Sequence, residues 1–426
     1  MFIPAPRVRP QAKRSPPLTV LILITALAPA ALHMLVPSLP LLAAVFDGAP
    51  GTVQLVLTVY LVGIATGQLV YGPVSDRYGR RPVLIAGLVL FLAGTALCGL
   101  AWSLPVLVLG RAIEASGGCA GMVLSRAIVR DVFDRERAAS AIAMIAMAMT
   151  LAPSLSPAVG AYLTQWAGWR ADFVLLGLLG AAVLILTSAR LEETRTGATP
   201  IDLAGMAGSF VRLLRSPGFL GFSICTAFTS ASWYTFLASA PYLLSERLHQ
   251  PPSTYGLMIL LPMAGYMLGS GAAARFSMRL GSSLLFVLGL ALSLASGAML
   301  ILWLVAFGLS AWALFVPMAL SSIGNGLSQP AGIAAALSVY PRIAGAASGL
   351  IGFLQMMIAA LGTLLVGRMP RESALSMVVV VGVCLALALG CGLVALRAPG
   401  PAPAEAAQRS HRGKPPQFSD RTADRC

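Results

Sequence analysis

The chain has 426 residues, of which 58% are hydrophobic and only 10% charged, and its mean hydropathy is +0.84. So little charge on so long and apolar a chain excludes an ordinary soluble domain and predicts a polytopic membrane protein. The formal net charge of +14 would turn a soluble protein toward nucleic acid, but here the basic residues fall between apolar runs and in the tails, where membrane orientation accounts for them.

From the N-terminus, a basic start, an apolar run and Ala28-Pro29-Ala30 resemble a signal peptide with a small-residue cleavage site. The apolar run continues to about Leu42, long enough to cross a bilayer, so it is read as the first span. Apolar runs of about 20 residues then place twelve helices near 18–42, 52–73, 83–101, 105–128, 139–164, 172–189, 219–244, 254–274, 283–306, 311–338, 344–366 and 374–396. The fold class expected is an all-α bundle of two six-helix halves, 18–189 and 219–396. A tail at 1–17, a linker at 190–218 with Glu192, Glu193 and Asp202, and a disordered tail at 397–426 complete the expected domains. Six cysteines, five of them inside spans, show no paired spacing, and the three histidines are scattered. No disulfide framework, metal site or cofactor is therefore expected.

Arginine and lysine placement orients the bundle. With the N-terminus cytoplasmic, the inside segments hold Arg7, Arg9, Lys13 and Arg14, then Arg77, Arg80 and Arg81, then Arg126, Arg130, Arg135 and Arg137, and later Arg275, Arg279 and Arg342. The outside segments hold Arg170, Arg247, Arg368 and Arg371. Both termini are expected in the cytoplasm. A faint internal repeat sets Arg279-Leu280-Gly281 after span 8 as Arg77-Tyr78-Gly79 is set after span 2.

Gly72-Pro-Val-Ser-Asp76-Arg77-Tyr-Gly79-Arg80-Arg81 lies between spans 2 and 3 and reads as a tight turn at a membrane surface. Gly72 and Gly79 would permit close helix approach and the turn, and the arginines would face anionic lipid headgroups. This wording resembles the loop between helices 2 and 3 of the major facilitator superfamily, above all its bicyclomycin-resistance (Bcr/CflA) drug-efflux branch. The resemblance covers about residues 18–396 and implies two parallel halves with a substrate site between them near the midplane. It also implies a charged cytoplasmic latch of Asp76, Arg77, Arg80, Arg81, Arg130 and Asp131. In that latch Asp76 would face the N-terminal end of span 11 near Ala344, and Arg80 would meet Asp131. For Arg81 a positive topology signal suffices.

Ala152-Pro153-Ser-Leu-Ser-Pro157-Ala-Val-Gly160 in span 5 places two prolines four apart on one helix face, which predicts a bend. It resembles the antiporter motif of drug-efflux relatives, without the upstream glycines of the fuller pattern, and implies export. Trp169-Arg170 with Phe173 matches the branch's loop before helix 6, but Asp172 stands where an aliphatic residue is usual, and the sequence gives it no role.

Glu114 is the acid that lies deep in a span, with Arg111 three residues before it on one helix face. His33 and Glu114 each sit nine residues in from the outer ends of their spans, and so at one depth. A central charge costs roughly 2.5–3.5 kcal/mol, which makes each a functional candidate, although Arg111 and Glu114 also suit a purely structural pair. Arg111-Ala-Ile-Glu114 occupies the place of the family's fourth-helix motif, with glutamate where glutamine is usual. His33-Met34-Leu-Val-Pro37 looks like a first-helix segment that normally begins with aspartate. The resemblance thus implies proton coupling through Glu114, tuned by Arg111 and His33, the carboxylate having moved from span 1 to span 4. Met34, Tyr60, Trp233, Tyr234, Phe236, Asn325, Gln355 and Met356 are the intramembrane aromatic, amide and thioether groups able to receive a drug.

No nucleotide-binding P-loop and no nucleophile with an adjacent base occurs, so neither an ATP-driven pump nor an enzyme is expected. The expected activity is export of drug-like small molecules in exchange for protons, across a bacterial cytoplasmic membrane, by a monomer whose other partners are lipids. A metabolite exporter or proton symporter on the same fold is the alternative, and a membrane sensor a more distant one.

Overall fold

The computed structural model describes residues 18–195, 203–369 and 374–397. The tail at 1–17, Asp202 of the linker, Arg371 of an outer loop and the tail from 398 onward lie outside the described residues.

A chain crossing hydrocarbon must satisfy its own backbone groups, and the α-helix does so within one segment. Twelve long helices result among the described residues. The first half holds α1 (Leu18–Met34), α2 (Leu55–Tyr78), α3 (Arg80–Gly99), α4 (Leu104–Val132), α5 (Arg135–Ala167) and α6 (Arg170–Arg190). The second holds α7 (Pro217–Tyr242), α8 (Leu260–Leu280), α9 (Ser282–Phe307), α10 (Ala311–Val339), α11 (Ala344–Arg368) and α12 (Leu375–Arg397). After α1 the chain makes a 3₁₀ turn at Val36–Ser38, with Pro37 inside it, and resumes as a helix over Leu39–Val45. Short helices at Pro50–Val53 and Pro252–Met258 precede α2 and α8, and a helix at Leu203–Leu214 joins the halves.

Ten of these stretches are long and apolar enough to cross a membrane, among the described residues. The two long helices that fall short on hydropathy, α7 and α10, hold 26 and 29 residues and owe the shortfall to polar side chains. Most of these point inward. Ser223, Thr226, Thr229, Ser230, Ser232 and Thr235 of α7 are buried, as are Ser321, Ser322, Asn325 and Ser328 of α10. Gln329 of α10 donates to Thr229 and Ser230 of α7 at 3.1 and 3.2 Å. Conversely, the outer faces carry exposed Leu178, Ile185, Leu268, Leu302 and Val394, an apolar surface of the kind a bilayer covers.

The tight turn expected over Gly72–Arg81 is narrower than that segment. Helix α2 runs on through Tyr78, α3 begins at Arg80, and the whole turn is Gly79, at φ +96°. Gly281 does the same between α8 and α9 at φ +80°, so the internal repeat extends to backbone conformation. Gly72 has nothing within 4 Å of where a Cβ would sit, so it mediates no close approach. Pro153 and Pro157 both lie inside α5, which is one continuous helix of 33 residues.

Between the halves, one end of the bundle is closed. Tyr242 donates to the carbonyl of Leu39 at 3.3 Å, Gln54 to that of Ala238 at 3.0 Å, and Thr58 and Thr363 lie 2.9 Å apart. Gly256 of the short helix before α8 rests on Ala158 and Ala161 of α5. Toward the other end, where Gly79 lies, a cavity of about 660 Å³ opens among α2, α4, the start of α11 and the Leu203–Leu214 helix.

Candidate functional site

Arg111 and Glu114 meet as their spacing on α4 dictates. Arg111 Nη1 lies 2.6 Å from Glu114 Oε2, with both side chains fully buried. Thr95 of α3 donates to Glu114 Oε1 at 2.9 Å, so both carboxylate oxygens are bonded. The guanidinium also donates to the carbonyl of Ala31 at 3.2 Å and lies over the ring of Tyr60, 3.9 Å from its centroid. Tyr60 in turn donates to the carbonyl of Ala28 at 2.9 Å. Four helices thus converge on one charge pair. Removing one partner of such a pair leaves the other uncompensated, at about 3–5 kcal/mol, and the desolvated cation–π contact adds about 2 kcal/mol.

His33 stands apart from this pair. Its Nδ1–H donates to the carbonyl of Pro29 at 2.9 Å, and its ring faces Tyr234 of α7 with centroids 6.1 Å apart. No hydrogen bond or ion pair joins it to Glu114; it lies instead against the second half.

Of the drug-contact candidates, Trp233, Tyr234, Gln355 and Met356 are half-buried on α7 and α11. Met34, Tyr60, Phe236 and Asn325 are buried. Met34 packs beneath Gly160 of α5, Phe236 against Phe315 and Trp233, and Asn325 lies 3.4 Å from Ser293 of α9. In this conformation these four are engaged in packing.

At the charged end, Arg80 is the hub. It pairs with Asp76 at 2.8 Å and Asp131 at 2.9 Å and also bonds Ser75. Asp76 bonds Arg195 at 2.7 Å rather than the start of α11, although Gly345 and Ala346 line the same cavity. Glu193 accepts from the backbone N–H groups of Arg80 and Arg81 at 2.9 and 3.0 Å, capping α3 from the far end of α6. Arg81 reaches the carbonyl of Ser188, Arg77 lies over Tyr78, and Arg130 donates to the carbonyl of Arg126.

Several contributors were not singled out from sequence. Gln68 of α2 packs against Gly349 and Gly352 of α11 where the halves meet. Gln54, Thr58 and Thr363 bridge the halves nearer the closed end. An amide inside a span needs a partner, and that signal, applied above to Asn325 and Gln355, also marked Gln54 and Gln68.

Two segments of the chain, residues 21–224 and 222–423, match the family model described as Major Facilitator Superfamily. The Multidrug resistance protein D of Escherichia coli (strain K12) is 30% identical over 342 residues, 79% of this chain and 85% of that protein. A Chloramphenicol resistance protein of Pseudomonas aeruginosa is 30% identical over 370 residues, 85% of this chain and 86% of that one. Among solved structures, a bacterial homolog of the human lysosomal transporter Spinster, in an inward-facing and unoccupied conformation, superposes with TM-score 0.72 at 17% identity. That likeness covers 90% of this chain and 98% of the other.

Proposed function

The chain belongs to the major facilitator superfamily, and on that premise we propose that it is a secondary transporter exporting drug-like small molecules in exchange for protons. The observation that carries the reading is the Arg111–Glu114 pair, sealed where α1, α2, α3 and α4 meet. A proton on Glu114 removes the charge that holds Arg111 to its own helix. Arg111 then depends on Tyr60 and on the carbonyl of Ala31, so α1 and α2 feel the protonation state of α4. His33, against Tyr234, passes movement of α1 to the second half. The halves rock about a site lined by α7 and α11, where Trp233, Tyr234, Gln355 and Met356 receive the drug.

The arginine bias puts the open, charged end in the cytoplasm, with both termini there and the chain a monomer in the inner membrane. The cavity of about 660 Å³ is then the entrance for drug, of a volume that suits a drug-sized molecule. Arg80, Asp76, Asp131 and Arg195 tie α2, α3, α4 and the chain after α6 together, and when this end closes Asp76 turns to the start of α11 and latches the halves. The names of the two relatives, which concern multidrug and chloramphenicol resistance, support the substrate class.

Accumulation of labelled chloramphenicol and of a cationic dye in expressing cells tests the reading. Lower steady-state accumulation of at least one compound is expected, restored when the proton gradient is collapsed. Unchanged accumulation of both, with protein present in the membrane, contradicts drug export.

A further inference from the structure

Asp172 is the interior carboxyl that the pair on α4 does not use. It lies near the start of α6, toward the closed end, and is fully buried. Its Oδ2 lies 3.2 Å from Ser38 Oγ and 3.3 Å from Thr164 Oγ1, and those two hydroxyls are bonded to each other. Its Oδ1 has no partner.

The titratable groups on α4 and on the helices packed against α6 are already engaged. Arg111 of α4, whose field reaches Asp172, holds Glu114. His33 of α1 bonds Pro29, Cys98 of α3 bonds Leu107, and Tyr162 of α5 stacks on Trp166. On α6 itself, Arg170 donates to the carbonyl of Ala101 and lies over Trp169. No cation is within ion-pair distance of Asp172 among the described residues. An unpaired buried carboxylate is costly, whereas a neutral acid needs only hydrogen bonds.

Counting protons makes the same point. The three oxygens form a triangle with three hydrogen-bonded edges, and two hydroxyls supply two protons. A third proton, on Oδ2, closes the ring, with each group donating once and accepting once, the arrangement in which hydrogen bonds reinforce one another. The ring also joins three elements that must move together. Ser38 ends the 3₁₀ turn that breaks α1, Thr164 is on α5 and Asp172 on α6. The next residue, Leu39, takes the hydrogen bond from Tyr242 across the halves.

We propose that Asp172, Ser38 and Thr164 form a second proton-binding site, which holds its proton while this end of the bundle is closed and releases it to water when the end opens. Binding is simple protonation of the carboxylate, with water as source and sink. Parting Tyr242 from Leu39 moves the turn, separates Ser38 from the ring and lets water reach Asp172. The site adds an outer station to the proton exchange proposed above, but its occupancy is a property of the protein without substrate.

Infrared spectroscopy of the purified protein in lipid nanodiscs near neutral pH tests it. The expected result is a carbonyl band from a neutral carboxylic acid, present in the wild type, lost in Asp172→Asn and retained in Glu114→Gln. Ser38→Ala and Thr164→Val, which leave the carboxyl in place, are expected to shift the band, so the test stands even if Asp172→Asn does not fold. Absence of the band in the wild type, its persistence in Asp172→Asn, its loss in Glu114→Gln or its indifference to both hydroxyl variants overturns the proposal. No drug enters the assay, so its failure leaves the export reading untouched and is distinct from failure of that reading.

Discussion

Three residues of spacing are enough to bring Arg111 and Glu114 together; what the fold adds is everything around them. Gly94 of α3 is part of that addition, since a Cβ there would press on the backbone of Glu114. Gly94→Val therefore pushes α3 from α4 and draws Thr95 from the carboxylate, at a cost of about 1–3 kcal/mol for overpacking. A lower thermal midpoint in detergent is expected, and an unchanged midpoint would show that the contact has slack. The pair itself was legible in the sequence because it is local. The surroundings of Asp172 were not, because its hydrogen-bond partners Ser38 and Thr164 come from different helices and only the fold brings all three together. The facing of His33 was not legible, since depth along a helix is set by rise but facing also depends on how the helix is rotated in the bundle. It shares a helix with Ala28 and Ala31, which meet Tyr60 and Arg111, yet its ring turns toward α7.

At the scale of elements, the twelve long helices among the described residues overlap the apolar runs that foretold them, with ends within a few residues except at α1, which breaks at Met34 and resumes at Leu39, and α8, which lies six residues later than expected. The overruns have a common cause. Helical hydrogen bonding is indifferent to polarity, so α2 continues past the last apolar residue and carries Asp76 and Arg77 in its final turn. For the same reason α7 and α10 remain long helices despite their hydroxyls. Gly79 is one of the glycines that the backbone demands by its positive φ, and Glu193 lies against it from the end of α6. Gly79→Ala forces an L-residue to φ +96° and ψ +153°, an essentially glycine-only region, costing about 1–3 kcal/mol, and also crowds the Glu193 carboxylate, 2.6 Å from the new Cβ. The expected result is a lower melting temperature. Gly72→Ala, with open space at its Cβ position, should leave the melting temperature unchanged and so serves as the control. Equal melting of the two variants would contradict the assignment of the turn to Gly79 alone.

For the whole molecule, the two halves share a plan that the sequence carries only faintly, in Gly79 and Gly281 at matching junctions. They are joined by Gln54, Thr58, Thr363 and Tyr242 toward one end and parted by a cavity at the other. None of those joining side chains belongs to a motif, which is why the closed end was the least legible part of the chain. A transporter so built opens the other way only if something weakens the closed end, and in this account that is proton movement through the first half. The most direct measurement is drug-driven proton release in inside-out vesicles, wild type beside Glu114→Gln. The account predicts release with the wild type for some compound among chloramphenicol-like and cationic drugs, and loss of that response, tenfold or more (about 1.4 kcal/mol in coupling), in the variant. Proton release undiminished in a correctly inserted Glu114→Gln protein would contradict it.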